Sequence, residues 1–102
     1  MSQRLEQLLK LAQATPDDPL AHYAAGLELC HLERWDEAVA AFDRALAANA
    51  SYSAAYFHKG KAQLKAGQGA AARATLDAGI VVAQKAGDMK TVKEMTELRG
   101  LL

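Results

Sequence analysis

An all-α fold is what this sequence predicts, an α-solenoid of stacked antiparallel helical hairpins, and three observations predict it. Block 19–52 superimposes on block 53–86 at an offset of 34 residues, so that Gly26 falls on Gly60, Ala38 on Ala72, Phe42 on Leu76 and Leu46 on Ile80. A fixed period of this size marks stacked helical hairpins, because one hairpin cannot bury its apolar face alone. Apolar residues also recur at helical spacings, and no segment alternates as a strand would. Finally, the chain is 51% hydrophobic and rich in alanine, with 2 prolines and 7 glycines. Alanine has the best helix propensity, and its small side chain lets helices approach.

Six helical segments follow in order. The first spans about Ser2 to Ala14, with Leu5, Leu8, Leu9 and Ala12 on one apolar face. Thr15-Pro16-Asp17-Asp18 breaks it. Asp18 caps the second helix and Pro19 takes its first position, where the missing N–H costs nothing. That helix reaches about His31, and Leu32-Glu33-Arg34 is a short break. The third starts near Trp35, with Asp36 and Glu37 placed to complement the helix dipole, and ends near Asn49, a residue suited to a left-handed cap. Ser53 is the expected cap of the fourth, which runs to about Lys65, and Gly67-Gln68-Gly69 is a turn. The fifth spans about Ala70 to Gln84 and Gly87 ends it. Asp88 caps the sixth, with Thr91 and Glu94 offering a second capping box. Met89, Val92, Met95 and Leu98 recur every three residues as its apolar stripe.

Bulk properties narrow the function. At 102 residues the chain suits one domain with a modest core. Residues 2–18 hold no continuous apolar run of the kind a signal peptide needs, and nowhere is there a span near the length a membrane requires. The lone cysteine, Cys30, allows no internal disulfide and suits a reducing compartment, so a cytoplasmic protein is expected. Net charge is zero, which argues against a nucleic-acid partner. The halves differ, however. Residues 1–51 carry 4 basic and 8 acidic side chains, a net −4, and residues 52–102 carry 8 and 4, a net +4. Two readings stand: ordinary solvated charge, or head-to-tail self-association and steering of a partner.

WDEAVAAFDRALAANA, residues 35–50, resembles the second half of a tetratricopeptide repeat. That family prefers small residues at the eighth, twentieth and twenty-seventh places of its unit. Gly26, Ala38 and Ala45 stand there in the first unit, and Gly60, Ala72 and Gly79 in the second. Leu29 and Phe42 in the first unit, and Tyr56 and Leu76 in the second, take places that are usually large and apolar. His22, Ala25, Ala50, Lys59 and Gln63 depart from the pattern. The resemblance implies a single domain: an N-terminal capping helix over 1–15, repeats over 19–52 and 53–86, and a C-terminal capping helix over 88–102.

It also implies where a partner would bind. The first helix of each hairpin lines the concave face. The corresponding residues are Leu20, Tyr23, Ala24, Leu27, Cys30 and His31, then Ala54, Phe57, His58, Lys61, Leu64 and Lys65. Of these, Tyr23, Leu27, Phe57, His58, Lys61, Leu64 and Lys65 are the candidate peptide- or protein-binding residues. Lys61 and Lys65 are four apart and share a helix face. An apolar groove with a basic margin suits a peptide bearing an apolar anchor and an acidic residue. The alternative is that the terminal helix fills this groove. Some family members clamp a terminal carboxylate, but Tyr23 and Leu27 stand where donors would be needed, which argues against such a clamp.

Other chemistry finds little support. His22, His31 and His58 lie too far apart in sequence to read as a metal set, and are expected at the surface or in the groove. Cys30 has no base placed to activate it. Gly67-Gln68-Gly69 lacks the phosphate-loop pattern. Trp35 and the Met89/Met95 stripe read as packing. No cofactor, metal or catalytic residue is expected. The sequence therefore predicts a non-enzymatic adaptor that binds a protein or peptide, with a self-associating structural protein, a homo-oligomer, as the alternative.

Overall fold

The structure is a computed structural model and describes residues 2–102. Among these it contains six helices: α1 (Gln3–Ala14), α2 (Pro19–His31), α3 (Trp35–Ala48), α4 (Ser53–Lys65), α5 (Gly69–Ala86) and α6 (Met89–Arg99). Each helix packs on the next, and α2 also touches α4 while α4 touches α6. The helices therefore form two layers, α2, α4 and α6 in one and α1, α3 and α5 in the other.

Small residues set the spacing within each hairpin. A Cβ on Gly26 would collide with the ring of Phe42, and one on Gly60 would sit 2.7 Å from Leu76 Cδ2. These are the same two places of the repeat, 34 residues apart. Gly79 of α5 likewise presses on Tyr56, where an added Cβ would lie 2.5 Å from the tyrosine Cβ. Phe42 and Leu76 are fully buried, as are Ala38, Ala45, Ala55, Ala62 and Ala72 around them. Gly60→Leu should therefore destabilise the fold by about 1–3 kcal/mol through overpacking. Urea denaturation checks this, and wild-type stability in the variant would contradict the observed contact.

The helix ends show which local signals operate. Ser2 Oγ accepts from the Leu5 N–H at 3.1 Å, Asp18 Oδ1 from Leu20 at 2.9 Å and Asp88 Oδ1 from Thr91 at 3.2 Å. Gly87 ends α5 in the left-handed region at φ 73°, and the last helical residue, Ala86, lies two beyond the expected Gln84. Glu33 at φ 59° and Gly67 at φ 80° occupy the same place of the two repeats, so both hairpin turns need a left-handed residue.

Four expectations are corrected. Asn49 is extended, at φ −147°, because α3 closes through an ordinary backbone bond to Ala45 and leads straight into the next turn. Ser53 does not cap α4; Tyr52 stands at that position without a side-chain bond. The Ser53 hydroxyl instead donates to Asp88 Oδ2 at 2.6 Å, a partner 35 residues away. Glu94 closes no capping box, because the place three residues after Asp88 belongs to Thr91. The last stripe is buried at Met95 and half-buried at Val92 and Leu98, whereas Met89 is 62% exposed.

Asp88 consequently does two things, capping α6 and tying it to the start of α4. The Ser53 hydroxyl, then Thr91, hold its carboxyl below the usual range. The stability this gives is present above the unfolded pKa and is lost as pH falls through the folded one. Asp88→Ala should cost about 0.5–2 kcal/mol, the usual value of a lost N-cap. The loss should shrink in acid, and thermal melts at neutral pH and near pH 3 would show it.

Candidate groove on the α2–α4–α6 face

A groove runs between α2 and α4. Its volume is about 400 Å³, and its walls are Leu27, Cys30, His31, Trp35, His58, Lys61, Ala62 and Lys65. The sequence-predicted Leu27, His58, Lys61 and Lys65 thus come together. Trp35 packs against the core and also lines the groove, a second role that its helix-start position did not suggest.

Behind His58 lies an aromatic cluster, and the predicted Tyr23 belongs to it and to the core rather than to the groove wall. Tyr23 is half-buried, with ring centroids 4.8 Å from Tyr52, 5.9 Å from Phe42 and 5.7 Å from His58. The His58 ring is also 6.0 Å from Phe42 and 5.0 Å from Phe57. His58 therefore has three aromatic neighbours, Tyr23, Phe42 and Phe57, and it joins the groove to the core.

Charge in the groove follows from this burial. Desolvation pushes the His58 pKa below its ordinary value, and the nearby Lys61 adds to that, while Glu94 of α6 pulls the other way. Burial raises the Cys30 thiol, opposed by Lys61, so the thiol stays protonated at neutral pH. Burial first, then Tyr52 and Glu94, raise the Tyr23 phenol. The groove interior is thus neutral, and its fixed positive charges are Lys61 and Lys65 on the exposed edge of α4.

The remaining predicted residues lie elsewhere. Phe57 is half-buried and turns towards α6, packing in the second core with Tyr56, Val92 and Leu98. There it borders a second crease of about 420 Å³ with Lys61, Glu94, Glu97, Leu98 and Leu101. Helix α6 thus covers the Phe57 side of α4 and leaves the α2–α4 groove open. Leu64 is half-buried and lines neither hollow. His22 is a correction: it is neither at the surface nor in the groove. It is 6% exposed, and its Nε2 donates to the Pro16 carbonyl at 2.7 Å, bracing the α1–α2 connection.

Glu94, which borders the second crease and acts on the charge of His58, is the residue that sequence reasoning missed. An offset of 34 would set it under Gly60, at a core place. The longer α5 delays α6, and the residue that answers to His58 is instead 36 further on. Among the described residues, no three His, Cys, Asp or Glu side chains stand close enough to hold a metal ion. No described helix is long and apolar enough to cross a membrane.

Comparisons with known proteins agree with this geometry. The chain is similar to the TPR2B domain of yeast Sti1, solved in a complex with pHsp70, at 22% identity and a TM-score of 0.88, covering 93% of this chain and 76% of that one. That likeness shows the fold. A Bordetella parapertussis protein solved in solution gives 28% identity and a TM-score of 0.82, over 97% of this chain and 86% of the other. A tetratricopeptide repeat domain protein of Salinibacter ruber gives 27% and 0.74, over 80% and 91%. A search of curated proteins finds no match. The profile of the tetratricopeptide repeat family matches residues 31–95. Domains of this fold are interaction modules that bind proteins and are typically without enzymatic activity. With glycine pairs at the same repeat places and most of its length inside that match, the chain belongs to the tetratricopeptide repeat family.

Proposed function

We propose that the protein is an adaptor whose α2–α4 groove holds an extended segment of a partner protein. The segment carries an apolar anchor and, beside it, an acidic residue. The observation that carries this reading is the groove itself: Leu27, Trp35 and the neutral ring of His58 offer apolar surface, and Lys61 and Lys65 stand one turn apart on its rim. Aromatic side chains in such positions are frequent hot spots. Exposed lysines contribute orientation and steering more than affinity. A domain of the same fold was solved with pHsp70, which supports a protein ligand in general terms. The half-buried free thiol of Cys30 supports a reducing compartment such as the cytoplasm.

Short fluorescent peptides test it, each with a leucine or phenylalanine anchor and an aspartate or glutamate one helical turn away in sequence. Lys61→Glu should weaken binding by about tenfold, or ~1.4 kcal/mol. It should leave the melting temperature unchanged, because Lys61 is exposed. Lys85→Glu, the same charge change on exposed α5, should bind as wild type does. Equal loss in both variants would reduce the effect to net charge and remove the groove from the account.

A further inference from the structure

The α2–α4 groove does not stop at α4. Lys61 is a wall that it shares with the crease between α4 and α6, whose other sides are Phe57, Glu94, Glu97, Leu98 and Leu101. The crease offers apolar surface: Phe57 and Leu98 are half-buried, and Leu101 is 78% exposed. Its charge is opposite to that of the groove. Lys61 and Lys65 border the groove, whereas in the crease two carboxylates, Glu94 and Glu97, stand against the one ammonium of Lys61.

Both carboxylates are available to a ligand. Among the described residues neither forms an ion pair, although Lys90 and Lys93 stand four residues before them on α6. Glu94 lies near enough to act on the titration of both His58 and Tyr23, which places its charge on the same face as the groove. The α1 end of that face has no equivalent. A hollow there shares Leu27 and His31 with the groove, but its carboxylate, Glu28, is taken by Arg4 at 3.3 Å and by the Ser2 hydroxyl at 3.2 Å.

We propose that the α4–α6 crease is a second subsite on this face, which takes an apolar side chain of the partner segment and, next to it, a lysine or arginine held by Glu94 and Glu97. This rests on the reading of the α2–α4 groove as the seat of an extended segment, and it adds the polarity of that segment: acidic over α2–α4, apolar and basic over α4–α6. Helices in contact lie about 8–10 Å apart, which is roughly three residues of extended chain. The basic residue therefore falls about three or four residues from the acidic one. Lys61 and Lys65 repel a base from the groove, and Glu94 and Glu97 repel an acid from the crease, so a segment of the reverse charge order is disfavoured at both.

Fluorescent acidic-apolar peptides read this when lengthened, at one end or the other, by glycine, leucine and then lysine, glutamine or glutamate. At one of the two ends the lysine version should bind about threefold tighter than the glutamine version, the scale of an exposed ion pair, and the glutamate version should bind weakest. Glu97→Lys should abolish or reverse that preference, and circular dichroism should show the variant folded, because Glu97 is exposed. Glu6→Lys, the same charge change on exposed α1, should keep it. Lys65→Glu reads the groove separately, since Lys65 does not border the crease; it should weaken every version and keep the lysine preference. If Lys65→Glu is silent while Glu97→Lys removes the preference, the α2–α4 reading fails and the crease stands. Equal binding of the three versions at both ends, no binding by any, a preference that survives Glu97→Lys, or one that Glu6→Lys also removes would overturn the proposal.

Discussion

Phe42→Ala is expected to lose about 3–5 kcal/mol of stability, the cost of a large cavity left by a buried aromatic. The ring is wholly buried, closes over Gly26, and lies 5.9 Å from Tyr23 and 6.0 Å from His58. The same change should therefore damage the groove as well as the core. Solvent would reach His58, its depressed pKa would return towards the ordinary imidazole value, and NMR titration of the ring would show the rise. An unaltered urea midpoint would mean that Phe42 is not the residue on which the first hairpin closes.

Met95→Ala is the second large effect, at about 2–5 kcal/mol. Met95 is fully buried, and its sulfur would lie 2.7 Å from a Cβ on Gly79. It is the main apolar anchor of α6, with half-buried Val92 and Leu98 on either side. Because each element of a solenoid contacts only its neighbours, the damage should be local. Amide exchange should accelerate in α6 and around Phe57, while α2 and α3 keep their protection. Uniform acceleration along the whole chain would show instead that the array unfolds as one unit.

The repeat made the fold legible. Gly26 with Phe42 and Gly60 with Leu76 could be paired from the 34-residue offset, because each glycine must face a large side chain at a fixed separation. What stayed illegible depended on distant partners. Serine is equally at home before a helix or within its first turn, and only Asp88, far along the chain, decides for Ser53. The stripe of the last helix misled for a geometric reason. A three-residue step falls about 60° short of a full turn, so the row drifts half-way round the helix between Met89 and Leu98. Met89 thus ends exposed to solvent while Leu98 reaches the core. The first helix shows the same limit: Leu5 and Ala12 are buried but Leu9 is 39% exposed, since α1 has a single neighbour, α2.

The groove was half legible. Leu27, His58, Lys61 and Lys65, which the resemblance assigned to the concave face, line one hollow, whereas Tyr23 and Leu64, assigned with them, do not. Phe57 was placed on the right helix, but the position of α6 decides which hollow it borders. That position depends on the length of α5, which overruns the expected end by two residues and shifts α6 out of the repeat period.

Whether the α2–α4 hollow is where a partner binds is tested most directly by NMR titration of the labelled protein with the tightest of the short acidic-apolar peptides. The account predicts that shifts concentrate at Leu27, Cys30, the Trp35 indole, His58, Lys61 and Lys65, with α1 and α5 undisturbed. Shifts confined to Phe57, Leu98 and Leu101, or to the layer of α1, α3 and α5, would contradict it.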